Sequence, residues 1–161
     1  MPKQFCIKAD DVFDIQMGTD PKTDARPPIT FWQAFAETRV KYGEENAYIA
    51  CEQKDTDTTY FTSPSLREYT FNETYADAHA FGRALIATGL KKYQAVNVIG
   101  FNSYQWVIAD IGAMTASALA AGVYATNNED ACQYQAEHSE AHTVVVEGDK
   151  QLLKYQNILD D

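Results

Sequence analysis

Residues 95–147 read AVNVIGFNSYQWVIADIGAMTASALAAGVYATNNEDACQYQAEHSEAHTVVVE, and how this stretch is read decides the fold. Val96, Val98 and Ile99 lead into Gly100, Val123, Tyr124 and Ala125 follow Gly122, and Thr143 to Val146 form a third run rich in β-branched residues. Such runs, free of polar alternation and separated by helical segments, suit parallel strands covered on both faces. The stretch is predicted to be a β-α-β-α-β unit. If its strands share one sheet, the first crossover is right-handed and lays a helix over residues 103–121 against one face.

That helix predicts its own surroundings. Trp106, Val107, Ile108, Ile111, Met114, Ala118 and Leu119 leave only Ser103, Asp110 and Ser117 as a narrow polar stripe. A helix apolar almost all round is a helix buried between layers, and a lone three-stranded unit offers no evident second cover for it. Gly112, Ala116 and Ala120 recur every four residues, a spacing that packs helices closely in lipid. Gln105, Asp110, Thr115 and Ser117 interrupt the apolar run, so a transmembrane span is not expected.

Composition narrows the function classes. At 161 residues, 45% hydrophobic and 12% aromatic, the chain is long enough to bury a real core. A net charge of -10 disfavours nucleic acid and anionic membrane surfaces, which need Lys and Arg to displace counterions. Cys6, Cys51 and Cys132 are odd in number, widely spaced and free of any C-x-x-C pattern. Neither a disulfide framework nor a zinc site is indicated, and a reducing, cytoplasmic location is expected. No apolar run follows Met1-Pro2-Lys3, so no secretory signal is read there, and Pro2 replaces the glycine that N-myristoylation requires.

Upstream, residues 1–28 combine five aspartates with Gly18, Pro21, Pro27 and Pro28, the composition of an extended arm. A first helix is predicted from a Thr30–Gln33 capping pair to Gly43, with Phe31, Trp32, Phe35 and Tyr42 on a face that must be buried. Residues 48–51 read as a strand, and Tyr60-Phe61 and Glu68-Tyr69 as its antiparallel partners. Asp55 and Asp57 invite a calcium loop. Tyr60 and Leu66 stand where such a loop needs Gly and Glu, so a solvated loop is preferred. A second capping box, Thr70 with Glu73, opens a helix whose Phe71, Tyr75, Ala78 and Leu85 share a face and which Gly89 stops. A last helix over residues 151–159 carries Leu152, Leu153, Ile158 and Leu159 with no closing strand after it, and the fold reads as incomplete.

Little in this sequence carries chemistry. No two of the eight glycines make G-x-G-x-x-G or a Walker loop. Gly100-Phe101-Asn102-Ser103 does place a turn after a parallel strand and before a capped helix, where α/β proteins bind anions, but capping alone explains those residues. His79, His138 and His142 each lack a second metal ligand at helical spacing and a nucleophile beside them, so they read as packing or surface residues.

A resemblance rests on particular residues. Gly100-Phe-Asn-Ser-Tyr-Gln-Trp106, Gly122-Val-Tyr-Ala-Thr-Asn-Asn-Glu-Asp-Ala-Cys-Gln-Tyr134, Glu137-His-Ser-Glu-Ala141 and Lys150-Gln-Leu-Leu-Lys154 resemble the N-terminal part of the bubblegum-type long-chain acyl-CoA synthetases, which are adenylate-forming enzymes. The likeness covers about residues 29–160, including the two helices upstream. It implies a layered, mainly parallel α/β fold with preceding helices and a small antiparallel hairpin. Residues 29–161 are then the first part of an AMP-binding domain, cut before its ATP-binding loop.

The resemblance also implies, for the whole enzyme, ATP, Mg, coenzyme A and a fatty acid, with the rest of the same domain as this chain's partner. It admits peripheral membrane association. The sequence departs from the family at Tyr104, commonly proline, at Gln105, commonly an acid, and at Asn128, commonly proline, each placed in a helix's first turn. The family's phosphate loop, its ribose-binding acid and its C-terminal lysine have no counterpart here. No catalytic, cofactor-binding or metal residue is therefore assigned. The expectation is an inactive scaffold piece of a long-chain fatty acid–CoA ligase. The alternatives are a truncated interaction or regulatory module and a small self-contained nucleotide-binding protein.

Overall fold

The computed structural model describes residues 29–52 and 65–159. The N-terminal arm, Cys6, the aspartate loop and the Tyr60-Phe61 strand lie outside the described residues. The chain divides into two units, Met1–Ala34 and Phe35–Asp161. Helix α1, Phe31–Tyr42, begins in the first, where the amide of Gln33 donates to Thr30 Oγ1 at 3.1 Å and that of Thr30 to Gln33 Oε1 at 2.8 Å. This capping pair is the predicted one. The predicted burial is not observed: no residue of α1 is buried, and Phe31 and Val40 are exposed.

In the second unit, β1 (Asn46–Glu52) and β2 (Ser65–Thr70) form an antiparallel hairpin in which Tyr48 faces Tyr69 and Cys51 faces Leu66. Helix α2, Phe71–Ala87, follows without a loop because Thr70 closes a full capping box with Glu73. The bonds from the backbone and hydroxyl of Thr70 hold the Glu73 carboxyl below its ordinary range. At the other end Gly89, at φ 98°, takes the left-handed conformation that a residue with a Cβ resists.

The parallel sheet contains β3 (Ala95–Ile99), β4 (Leu119–Val123) and β5 (Ala141–Val146), in the order β4-β3-β5. Every residue of β3 is buried, as a central strand covered on both faces requires. Alternation then divides the core. Val96 and Val98 join Leu85, Leu90, Ala109 and Ala113 under α2 and α3, whereas Ile99 joins Val123, Cys132, Ala136 and Tyr155 on the other side. Helix α3 is Tyr104–Thr115 and α4 is Glu129–His138; the described residues end in α5 (Asp149–Leu152), a 3-10 turn (Leu153–Tyr155) and α6 (Gln156–Leu159).

Four expectations are corrected here. Helix α3 stops at Thr115 rather than residue 121, because Ser117 turns left-handed at φ 59° and the run Leu119–Val123 pairs with β3 as a strand. Residues 119–123 contain good helix formers, and sheet pairing overrides their propensity. The second cover that seemed lacking for α3 is α2. Gly82 and Gly112 bring the two helices together so closely that a Cβ on Gly82 would lie 2.8 Å from the Gly112 carbonyl oxygen. Of the small-residue repeat, Gly112 thus packs helices within the molecule, whereas Ala116 caps α3 and Ala120 belongs to β4.

The last two corrections concern helix ends. Asn128 is the N-cap of α4 rather than a first-turn residue, its Oδ1 accepting the Ala131 amide at 3.1 Å. The last helix, expected over residues 151–159, instead starts at Asp149 and is broken into α5, the 3-10 turn and α6, with Gln151 and Tyr155 buried and Leu152 and Leu153 exposed. Of the polar stripe on α3, Ser103 caps the helix, Ser117 is exposed past its end, and Asp110 is half-buried. Loss of water around Asp110 raises its carboxyl above the ordinary range. No helix among the described residues is long and apolar enough to cross a membrane.

Candidate functional site

Strand order makes the site. From β3 the chain crosses to β4 by way of α3, and from β4 it crosses back over β3 to β5 by way of α4, on the opposite face. The loops leaving the C-terminal ends of β3 and β4 therefore diverge. A crevice opens where neighbouring loops part in this way, and open α/β sheets bind ligands there.

The observed crevice is a cleft of about 630 Å³. One wall is Gly100, Phe101, Asn102 and Trp106, and the other runs from Gly122 to Thr126. Phe101 and Tyr124 are 65% and 78% exposed, so each wall offers an aromatic ring to solvent. At its floor Gly122 lets the sheet pass close to Trp106: a Cβ there would lie 3.4 Å from the indole. Behind the first wall, between β3 and β5, a small apolar cavity of about 50 Å³ adjoins Val98, Val145 and Val146.

Local bonds hold both walls. The Phe101 amide donates to Glu147 Oε2 at 3.2 Å, and the Trp106 amide to Ser103 Oγ at 3.1 Å. Across the cleft, Lys154 Nζ donates to the carbonyl oxygens of Ala125 and Asn127, each at 2.7 Å. Asn127 Nδ2 adds a bond to Gln135 Oε1 at 3.1 Å.

These bonds decide what the cleft can take. A phosphate needs free amides or a cation, and no lining residue is basic. The Phe101 amide already faces a carboxylate, α4 carries Glu129 and Asp130 in its first turn, and the Lys154 ammonium is directed to main-chain carbonyls. The cleft lining therefore offers a triphosphate no cationic side chain. Its two rings and the indole suit an uncharged planar or alkyl group instead. The capping reading of Gly100 to Ser103 thus agrees with the geometry, while the cleft beside it was missed. Reading Tyr124 inside a strand hid its exposure.

Other titratable candidates lie elsewhere. His79 meets the Tyr75 ring on α2, His138 stacks on Tyr134 of α4, and His142 Nδ1 lies 2.9 Å from the Thr143 hydroxyl on β5. Cys51 is exposed on β1 and Cys132 is buried under β3. Among the described residues no three His, Cys, Asp or Glu side chains gather to hold a metal ion.

Comparison with known proteins fits this architecture. The AMP-binding enzyme family profile matches residues 47–160. The long-chain-fatty-acid–CoA ligase ACSBG2 of Xenopus laevis is 37% identical over 88% of this chain and 18% of its own length. ACSBG1 of Rattus norvegicus, also a long-chain-fatty-acid–CoA ligase, is 30% identical over 83% of this chain and 17% of its own. This chain thus spans about a fifth of the length of these relatives.

Among solved structures, a benzoate CoA ligase from Burkholderia xenovorans superposes with a TM-score of 0.65 at 17% identity, covering 83% of this chain and 24% of the ligase. The N-terminal domain of FACL13 from Mycobacterium tuberculosis gives 0.64 at 17% identity, covering 80% and 29%. A profile match across most of the chain, on a sheet and helix arrangement shared with solved ligases, establishes that the chain belongs to the AMP-binding enzyme family.

Proposed function

We propose that residues 29–161 form the N-terminal scaffold part of a long-chain fatty acid–CoA ligase and that residues 1–28 are an arm leading into it. The complete enzyme would join a fatty acid carboxylate to the α-phosphate of ATP, releasing pyrophosphate. The thiol of coenzyme A would then attack the acyl adenylate and expel AMP. This chain's own share is structural. Its sheet and paired helices α2 and α3 support the fold, and its switch-point cleft contributes a neutral wall to the ligand region. Nucleotide and Mg would be held by other parts of the same domain.

The observation that carries this reading is the family match over residues 47–160 combined with a cleft that has no basic lining residue, whose Phe101 amide faces a carboxylate and whose nearby Lys154 is directed to main-chain carbonyls. A chimera tests it. Residues 29–161 replace their counterpart in the Xenopus laevis relative, and ATP-dependent acyl-CoA synthesis is measured beside the isolated chain. The chimera is expected to be active and the isolated chain inactive. A folded but inactive chimera would refute the scaffold assignment, and turnover by the isolated chain would refute its inactivity.

The exposure of Leu152 and Leu153 favours a second reading, an interaction module that docks through them. A sedimentation velocity series that stays monomeric at every concentration removes self-association from that reading.

A further inference from the structure

Helix α3 begins with an unusually well-held side chain. Tyr104, the first residue after the Ser103 cap, is only 5% exposed. Its ring lies on Tyr69 of β2, with centroids 3.5 Å apart and planes 11° from parallel, and Tyr48 of β1 meets it at 5.8 Å and 52°. The Arg67 guanidinium covers the Tyr69 ring at 4.5 Å. The Tyr104 hydroxyl donates to Asp77 Oδ2 on α2 at 2.8 Å. One side chain therefore joins both hairpin strands and α2 to the residue that follows the cleft's first wall.

We propose that Tyr104 is a positioning residue that couples the β1–β2 hairpin to the Gly100–Asn102 wall, so that the two move as one unit. This rests on reading the cleft as a ligand site. The physical case is the asymmetry of the hairpin's attachments. Its outward residues Ile49 and Leu66 are 55% and 61% exposed, whereas Tyr69, which carries the stack, is buried. A flat aromatic stack with a charge-assisted hydroxyl bond resists both sliding and rotation. Residues 100–103 have little freedom of their own, since Ile99 is fixed in the central strand and Tyr104 in the stack.

Hydrogen exchange on the 161-residue chain tests the coupling without reference to activity, so it can fail independently of the ligase assignment. Tyr104→Pro removes the stack yet suits the first position of a helix. It is expected to raise exchange about tenfold in both residues 65–70 and 100–106, with the helix beyond them still protected. Asp77→Asn is expected to do the same about threefold, and Arg67→Gln, a change on the hairpin alone, to be felt at residues 100–106. If Tyr104→Pro does not fold, the exposed-site variants Asp77→Asn and Arg67→Gln decide. Faster exchange in the hairpin with an unchanged wall, or no change in either, overturns the proposal.

Discussion

The two faces of the parallel sheet are built by different rules. Under α2 and α3 the clustered core is Leu85, Leu90, Val96, Val98 and a set of alanines, and the buried Thr74 of α2 has a partner for its hydroxyl, which donates to the Thr70 carbonyl oxygen at 2.8 Å. Beneath α4 and the last turns, buried Asn97, Gln151 and Tyr155 lie among apolar neighbours. Asn97 Nδ2 reaches Ser139 Oγ at 3.0 Å, but Asn97 Oδ1 and Gln151 Oε1 have no hydrogen-bond partner, and the Tyr155 hydroxyl has no oxygen or nitrogen partner. An apolar layer gains from every contact, whereas a buried polar atom without a partner gives some of that gain back. Stability should reside mainly on the α2/α3 side, leaving the other side adaptable.

The sharpest way to break this contrast is at the contact between the two helices. Gly82→Ala places a methyl group against the Gly112 carbonyl at 2.8 Å and against the Thr115 side chain, where backbone cannot give way. A loss of about 3 kcal/mol or outright failure to fold is expected, read by urea unfolding. Gly122→Ala, whose new methyl would meet only Trp106 at 3.4 Å, serves as the control and should change stability by less than about 1 kcal/mol. Equal losses at the two sites would mean that the helix pair is not where stability is concentrated.

Neighbouring residues on one strand give the next test. Val98 faces α2 and α3, and Asn97 faces α4. Val98→Ala should cost about 2 kcal/mol, the transfer of two methyl groups plus a residual cavity. Asn97→Val should cost less than about 0.5 kcal/mol or stabilise. It removes an unpartnered acceptor, and the Ser139 hydroxyl it abandons still donates to the Gln135 carbonyl oxygen at 2.7 Å. A large loss from Asn97→Val would show that the polar face is as finely packed as the apolar one.

The same contrast explains what could be read in advance. Strand β3, the Thr70–Glu73 capping box and the Ser103 cap were legible because each depends on residues close in sequence: a β-branched run, or a hydroxyl three residues from its amide. Strand β4 was not. Leu119, Ala120 and Ala121 favour a helix locally, and only pairing with Ala95, Val96 and Asn97 makes them a strand. That error shifted Tyr124 from loop to strand and concealed one wall of the cleft. The last helical segment was legible, but a short apolar run does not say which side its cover lies on, and Leu152 and Leu153 are exposed while Gln151 is buried. The cap at the cleft was visible in sequence, and its opposite wall needed the sheet register.

The smallest expected effects separate the two buried phenols. Burial raises both Tyr104 and Tyr155 above the usual tyrosine range, and in Tyr104 the Asp77 carboxylate adds to the rise. A phenol whose folded pKa lies above its unfolded value of about 10 contributes stability that is fully present below pH 10. That contribution is lost as pH climbs toward the folded value. Wild-type stability should therefore fall on the alkaline side, and replacing either residue by phenylalanine should flatten the fall. At neutral pH the two variants should differ. Tyr104→Phe gives up the bond to Asp77 and should cost about 1 kcal/mol, whereas Tyr155→Phe removes a hydroxyl beside only the weakly bonding Cys132 thiol and should be neutral within about 0.5 kcal/mol. Urea unfolding of both variants at pH 7 and pH 10.5 reads the difference. If Tyr155→Phe costs as much as Tyr104→Phe at pH 7, the hydroxyl on the α4 side is fully partnered and the contrast between the faces fails at its most specific point.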